Sequence, residues 1–295
     1  MSIFLYVLLV LLWGTTWIAV KYQLGEVDPT VSIFYRFLIA ASGLTLFALF
    51  SRYSLKFRLK DHLYLFLLGL GMFSMHAFFL YKSTAFLISG FVSLIFSFVS
   101  VFNILNMWIF FKVKPTLQIL FGALIGMTGI CVFFTEEMSN FSFTDGTFIG
   151  IIFGLLGALT FSLGNLVGKR NQLAGYPLIP STAWGMIYGT IVMGLYSLFA
   201  NLSFQLPTTS SYWISLLYLA VPGSIFSFLA YLTLIKTIGP ERAGYSAILF
   251  PVVALLISIV YEGYEPTSYD LIGMILIFIG NIIILYKPQA QKQLT

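Results

Sequence analysis

Charge is what this chain has least of. Asp, Glu, Lys and Arg make up 8% of its 295 residues, against about a quarter in soluble globular domains. With 59% hydrophobic residues, that composition excludes a water-soluble domain and points to a polytopic membrane protein. Cysteine is nearly absent as well. The one thiol, Cys131, sits in an apolar run, so no intrachain disulfide forms and no Cys/His metal pattern exists. The two histidines, His62 and His76, stand apart from any acid cluster. No Walker A stretch occurs, which excludes ATP hydrolysis by this chain, and neither a cofactor nor a metal is expected. No Asp or Glu lies deep within any apolar run. A proton antiporter for bulky cations commonly needs such a carboxylate, so its absence favours a neutral, zwitterionic or anionic substrate.

What the chain does have is long apolar runs. About 20 apolar residues cross a bilayer as a helix. Ten candidate spans lie near residues 3–20, 29–50, 63–80, 91–111, 117–134, 148–167, 178–200, 212–235, 243–261 and 271–286. The opening stretch "MSIFLYVLLVLLWGTTW" has no basic n-region and no small-x-small cleavage site. It reads as a retained first span.

The few charges are sorted by loop. One set of loops holds Arg52, Lys56, Arg58, Lys60, Lys112, Lys114, Lys169, Arg170, Lys236, Arg242, Lys287 and Lys292. The alternate loops hold Lys21 and Lys82 as their cations, together with Glu26, Asp28, Glu136, Glu137, Asp145, Glu262, Glu265 and Asp270. Cytoplasmic loops collect Lys and Arg, so both termini are expected in the cytoplasm, with the chain in the inner (plasma) membrane. The same sorting explains the net charge of +5 without a nucleic-acid partner.

The two halves resemble each other. Lys114-Pro115-Thr116 precedes a span with Gly122 and Gly129, and Glu265-Pro266-Thr267 precedes one with Gly273 and Gly280, an offset of 151 residues. The same offset takes Gly71 to Pro222. Five spans per half is an odd number, so the copies should enter the membrane from opposite sides. Inverted repeats of this kind put a substrate site near the midplane between them. The expected fold class is therefore an all-α integral membrane protein of ten transmembrane helices in two inverted five-helix repeats. Residues 1–140 and 146–288 form the repeats and 289–295 a short cytoplasmic tail.

At this point the pattern resembles the drug/metabolite transporter superfamily, EamA type. The residues that carry the resemblance are "LLWGTTW" at 11–17, "YRFLIAA" at 35–41, "KPTLQILFGALIGMTGICVFF" at 114–134 and its repeat "EPTSYDLIGMILIFIGNIIIL" at 265–285. One departure stands out. The usual "LGE" before the final span of a repeat appears as Tyr261-Glu262-Gly263-Tyr264-Glu265 in the second half and as Phe111-Lys112-Val113-Lys114 in the first. The family carries amino acids, nucleosides, drugs and other metabolites. The resemblance implies a transporter, with export of amino acids or their relatives as the common theme.

Several residues are candidates for the substrate site. Arg36 lies seven residues past Pro29, roughly 10 Å along the helix. It either snorkels to the outer interface near Glu26 or Asp28, faces a cavity where it meets a substrate carboxylate, or ties its helix to a neighbour. Its counterpart at the 151-residue offset is Ile187, so the charge is not duplicated. His76 is either a proton-coupling group or a neutral interhelical partner, and Ser227 is its counterpart. Trp13, Thr16 and Trp17 share a face of the first span as a cavity wall or as packing. Ser89, Ser93, Ser97 and Ser100 form a polar stripe on the fourth span. Asn103 and Asn165 add amides, and Ser224, Ser227 and Tyr231 form a shorter stripe on the eighth. The site set expected from these is Trp13, Thr16, Trp17, Arg36, His76, Ser93, Ser97, Asn165 and Tyr231. Glycine pairs four apart, such as Gly122/Gly126, Gly150/Gly154, Gly164/Gly168 and Gly185/Gly189, read as close helix packing. Pro222-Gly223 and Pro251 read as helix interruptions.

The leading expectation is a secondary transporter that moves a small organic metabolite by alternating access, as a monomer or weak dimer among membrane lipid. An uptake carrier for a nucleoside or quaternary amine is the alternative. A membrane-embedded enzyme would need a cluster of acids, histidines or cysteines near one interface, and the chain has none in sequence.

Overall fold

The computed structural model describes residues 2–112, 114–133, 135, 146–244 and 246–285. Val113, Glu136, Glu137, Asp145, Lys287, Lys292 and the tail 289–295 lie outside them. Backbone N–H and C=O groups have no partner in hydrocarbon, so a spanning chain must satisfy them within itself. The described residues accordingly form helices and contain no β-strand. In chain order these are α1 (Ser2–Lys21), α2 (Pro29–Phe50), α3 (His62–Leu70), α4 (His76–Thr84), α5 (Ser89–Phe96), α6 (Val99–Phe111), α7 (Leu117–Phe133), α8 (Gly146–Leu173), α9 (Leu178–Phe199), α10 (Ser210–Ala220), α11 (Ser227–Gly244), α12 (Ser246–Tyr261) and α13 (Ser268–Leu285). Among the described residues seven helical segments, against the ten expected from sequence, are long and apolar enough to cross a membrane. Three further apolar helices, Leu117–Phe133, Leu249–Tyr261 and Ser268–Gly280, are shorter.

The sequence expects helix interruptions at Pro222-Gly223 and at Pro251; the first is seen, whereas Pro251 sits inside the continuous helix α12, whose neighbouring bonds carry it. A π-helical turn, Gly71–Met75, joins α3 to α4, and another, Val221–Phe226, joins α10 to α11. The two turns stand at the 151-residue offset. In the second, Pro222 has no N–H to give the helix. In both, a serine hydroxyl takes up a carbonyl five residues back: Ser74 Oγ donates to Gly69 O (3.1 Å) and Ser224 Oγ to Leu219 O (2.8 Å). Two helices run further than the apolar pattern implies. α8 continues past residue 167 to Leu173, and α11 carries Lys236. Lys169 and Arg170 are thus helical. A helix can leave the apolar layer without breaking, because its backbone bonds are internal; Arg170 then packs over the Tyr64 ring at 3.4 Å and donates to Tyr176 Oη at 2.9 Å.

The surface and interior are inverted relative to a soluble protein. Large apolar side chains point outward, among them Phe50 (85% exposed), Leu117 (85%) and Leu124 (61%). The interior mixes large apolar and aromatic side chains with many buried serines and threonines, among them Ser32, Ser74, Ser89, Thr182 and Ser224, and close contacts there use small residues. A close helix contact joins α7 to α13. A Cβ added at Gly280 would lie 2.5 Å from Gly122 O, and one added at Gly273 would lie 2.7 Å from Gly129 O. Gly126 differs, because a Cβ there meets nothing within 4 Å. Gly280→Leu is therefore expected to destabilise the protein by about 1–3 kcal/mol through overpacking against backbone. Gly126→Ala is expected to be neutral or to stabilise by up to about 1 kcal/mol. Thermal unfolding of the two variants in detergent checks this; equal midpoints for both would contradict the packing.

The described loops make contacts at two ends. At one end Trp184 Nε1 donates to Leu55 O and Phe57 packs on Tyr176. At the other, Glu26 accepts from the backbone N–H and hydroxyl groups of Thr208 and Thr209. The Thr209 hydroxyl first, then the neighbouring bonds, hold the Glu26 carboxyl at about 2, well below its ordinary value. At the same end Lys21 Nζ pairs with Glu262 Oε1 at 2.8 Å.

Candidate functional site

A cavity lies among helices of both halves and holds about 550 Å³ of empty space, its open side included. One face of α1 supplies Trp13, Thr16, Trp17 and Val20, at the i, i+3, i+4, i+7 spacing that brings side chains to one side of a helix. Arg36 comes from α2, and His76, Ala77, Leu80, Tyr81 and Thr84 from α4. Phe96, Phe161, Phe228 and Phe250 close it from α5, α8, α11 and α12.

The wall is aromatic and edge-packed. Trp13 meets Phe161, Phe228 and Phe250 in T-shaped contacts at 6.1, 5.5 and 6.1 Å. Trp17 meets Phe96 at 5.5 Å and stacks on Phe250 at 6.2 Å. His76 lies 5.2 Å from Phe161. Such pairs add about 0.5–1.5 kcal/mol each beyond area burial, so the wall is stiff.

Arg36 is turned inward. It is 7% exposed, lines the cavity, and donates from Nε to Ser224 Oγ at 3.0 Å in the π turn between α10 and α11. The outer acids that a snorkelling guanidinium would meet are engaged elsewhere: Glu26 by Thr208 and Thr209, Asp28 by the N–H of Thr30 at the start of α2 (2.7 Å). Among the described residues no carboxylate pairs with Arg36. The residue thus both lines the cavity and ties α2 to the π turn between α10 and α11.

Two polar atoms of the lining are buried without a partner, Trp17 Nε1 and His76 Nδ1. Tyr81, beside the Arg36 guanidinium, donates its hydroxyl to Gln23 Oε1 at 2.7 Å. Among the described residues no group of His, Cys, Asp or Glu is placed to hold a metal ion.

The structure brings together Trp13, Thr16, Trp17, Arg36 and His76. It leaves the other four expected residues off the lining. Ser93 and Ser97 are fully buried and donate to Gly90 O (2.6 Å) and Leu94 O (2.7 Å) of their own helix. A serine can satisfy its hydroxyl this way in lipid, so the stripe does not mark a wet face. Tyr231 packs on Trp13 at 5.1 Å, behind the wall, and Asn165 faces Asn103 at 3.4 Å. Sequence reasoning missed Tyr81 and Thr84. With Ala77 they repeat at four- and three-residue steps along α4, a face that begins beside His76. The lining phenylalanines carried no such signal among 31 phenylalanines.

A helical bundle with lipid-facing apolar residues and a cavity walled from both halves defines a multi-pass membrane protein of the transporter type. Residues 1–135 and 148–286 each match the EamA-like transporter family. This chain belongs to that family, within the drug/metabolite transporter superfamily that its sequence resembles, and is a membrane transporter. It is 24% identical over 276 residues to Uncharacterized transporter YoaV of Bacillus subtilis, covering 92% of this chain and 91% of that one. An uncharacterized transporter of Archaeoglobus fulgidus is 24% identical over 280 residues (95% and 97% covered). Protein PagO of Salmonella typhimurium is 22% identical over 285 residues (95% and 91%). One solved crystal structure shares the fold with a TM-score of 0.71 at 18% identity, covering 96% of this chain and 95% of that one.

Proposed function

We propose that the protein is a secondary carrier that exports a small organic metabolite, an amino acid or a relative of one, by alternating access. It crosses the inner membrane ten times, with both termini in the cytoplasm, and acts as a monomer or weak dimer. Its repeats, 1–140 and 146–288, have opposite orientation. The observation that carries this reading is the cavity walled by α1, α2, α4 and α5 of the first half and α8, α11 and α12 of the second, with a cation inside. A site shared between halves can be exposed to either side by rocking one against the other. The glycine contacts support the opposed orientation. Gly122 meets Gly280 and Gly129 meets Gly273, and each pair maps onto the other at the 151-residue offset, as a two-fold relation between fifth and tenth spans requires. The test is counterflow in proteoliposomes loaded with a mixture of the standard amino acids and their deaminated acids. Saturable, transient accumulation of external tracer is expected. Tracer entry that rises linearly with concentration, or none, would sink the carrier reading.

A further inference from the structure

We propose that the cavity selects a carboxylate-bearing solute with an aromatic or flat apolar body and no ammonium group. This rests on the carrier reading and narrows it to a substrate class.

The polar inventory of the wall is one-sided. The Arg36 guanidinium has donors and no acceptor, and the indole N–H of Trp17 is a donor only. The Trp17 N–H is buried and unpaired, and His76 Nδ1 is unpaired in the same lining. A buried donor without an acceptor is costly, and a buried charge without a counter-ion more so. A carboxylate removes both penalties, because it accepts from the guanidinium in a two-pronged fashion and has lone pairs left for the indole.

An ammonium finds no equivalent partner. The described acids near the outer end are committed: Glu26 to Thr208 and Thr209, Asp28 to Thr30, Glu262 to Lys21 and Ser258, and Asp270 to Thr267. The cavity hydroxyls of Thr16 and Thr84 give their protons to Trp13 O and Leu80 O and keep only neutral lone pairs, no carboxylate stands in the lining, and the Arg36 cation there repels a second positive charge. What remains is ring surface. That surface, from Trp13, Trp17, Phe96, Phe161, Phe228 and Phe250, offers contact to an aromatic or flat apolar body.

Three probes share one phenyl body and differ in charge: 3-phenylpropionate, phenylalanine and 2-phenylethylamine. Calorimetric titration of each into the purified full-length protein at pH 7.5 should rank 3-phenylpropionate first and phenylalanine at least tenfold weaker, with no saturable binding of the amine. Arg36→Gln should weaken 3-phenylpropionate at least tenfold, and Trp17→Phe, which keeps the ring and deletes the N–H, should weaken it several-fold. If Arg36→Gln does not fold, the ranking on the unaltered protein decides alone. Equal or tighter binding of phenylalanine or the amine overturns the inference, and so does absence of 3-phenylpropionate binding. Binding in the expected order without counterflow overturns the carrier reading instead and supports the ligand class. Counterflow of other solutes without 3-phenylpropionate binding does the reverse.

Discussion

Arg36→Gln is expected to leave a folded, inserted protein that transports a carboxylate-bearing solute at least about 30-fold less well. Removing one partner of a buried, hydrogen-bonded charge pair costs about 2–5 kcal/mol, and 2 kcal/mol is about 30-fold. Arg36→Lys should recover part of the loss, because the ammonium keeps the charge but not the planar fork. Arg36 also holds Ser224 at 3.0 Å, so its structural share needs its own control. Ser224→Ala removes the tie and keeps the charge. It should cost about 1 kcal/mol of stability and change transport little. Expression and thermal unfolding of all three variants, measured beside initial transport rates, separate the roles. Normal transport by Arg36→Gln would show that the guanidinium is not part of the pathway. Loss of folding in Arg36→Gln and Ser224→Ala alike would make Arg36 a helix tie.

Glu262→Gln is expected to loosen the outer end of the bundle. The Glu262 side chain is 4% exposed. It receives Lys21 of α1 at 2.8 Å, Ser258 Oγ of α12 at 2.5 Å, and both the N–H and the hydroxyl of Ser89 at the start of α5. One carboxylate therefore joins α1, α5 and the end of α12. A hydrogen bond to a charged group contributes about 1.5–3 kcal/mol, so the neutral amide should shift closing by roughly 2 kcal/mol, about thirtyfold. Burial alone would raise the Glu262 carboxyl, but Lys21, Ser258 and Ser89 outweigh it and hold it below its ordinary 4.5. The sign follows. A carboxyl lowered in the closed form stabilises that form fully above about pH 4.5, and the contribution is lost as pH falls through the lowered value. Outer accessibility of the unaltered protein should thus be flat from pH 8 to 5 and rise in stronger acid. The Glu262→Gln protein should be open and flat throughout. A variant as closed as its parent would contradict the clasp.

The parts legible in sequence were those with a large local cost. Arg36 and His76 stood out because a charge or imidazole in an apolar run needs a reason. Trp13, Thr16 and Trp17 shared a face by spacing alone, and Pro222 announced a break whose π-helical form only the backbone could show. Ser93 and Ser97 misled for a physical reason. A hydroxyl facing water and one bonded to its own helix carbonyl look identical in sequence. The Lys21–Glu262 pair was invisible because it joins loops at opposite ends of the chain. So was the Phe161, Phe228 and Phe250 wall, which exists only through tertiary proximity.

Alternating exposure of one internal site is tested most directly by a cysteine at Ala77. The residue is 2% exposed, small, and lines the cavity. The chain's own thiol, Cys131, is exposed, so the experiment uses Cys131→Ser with Ala77→Cys. A membrane-impermeant thiol reagent is applied to right-side-out and to inside-out vesicles. The same cysteine should label from both sides, more slowly from each when substrate holds the site. Labelling from one side only would make the cavity a dead-end pocket and contradict alternating access.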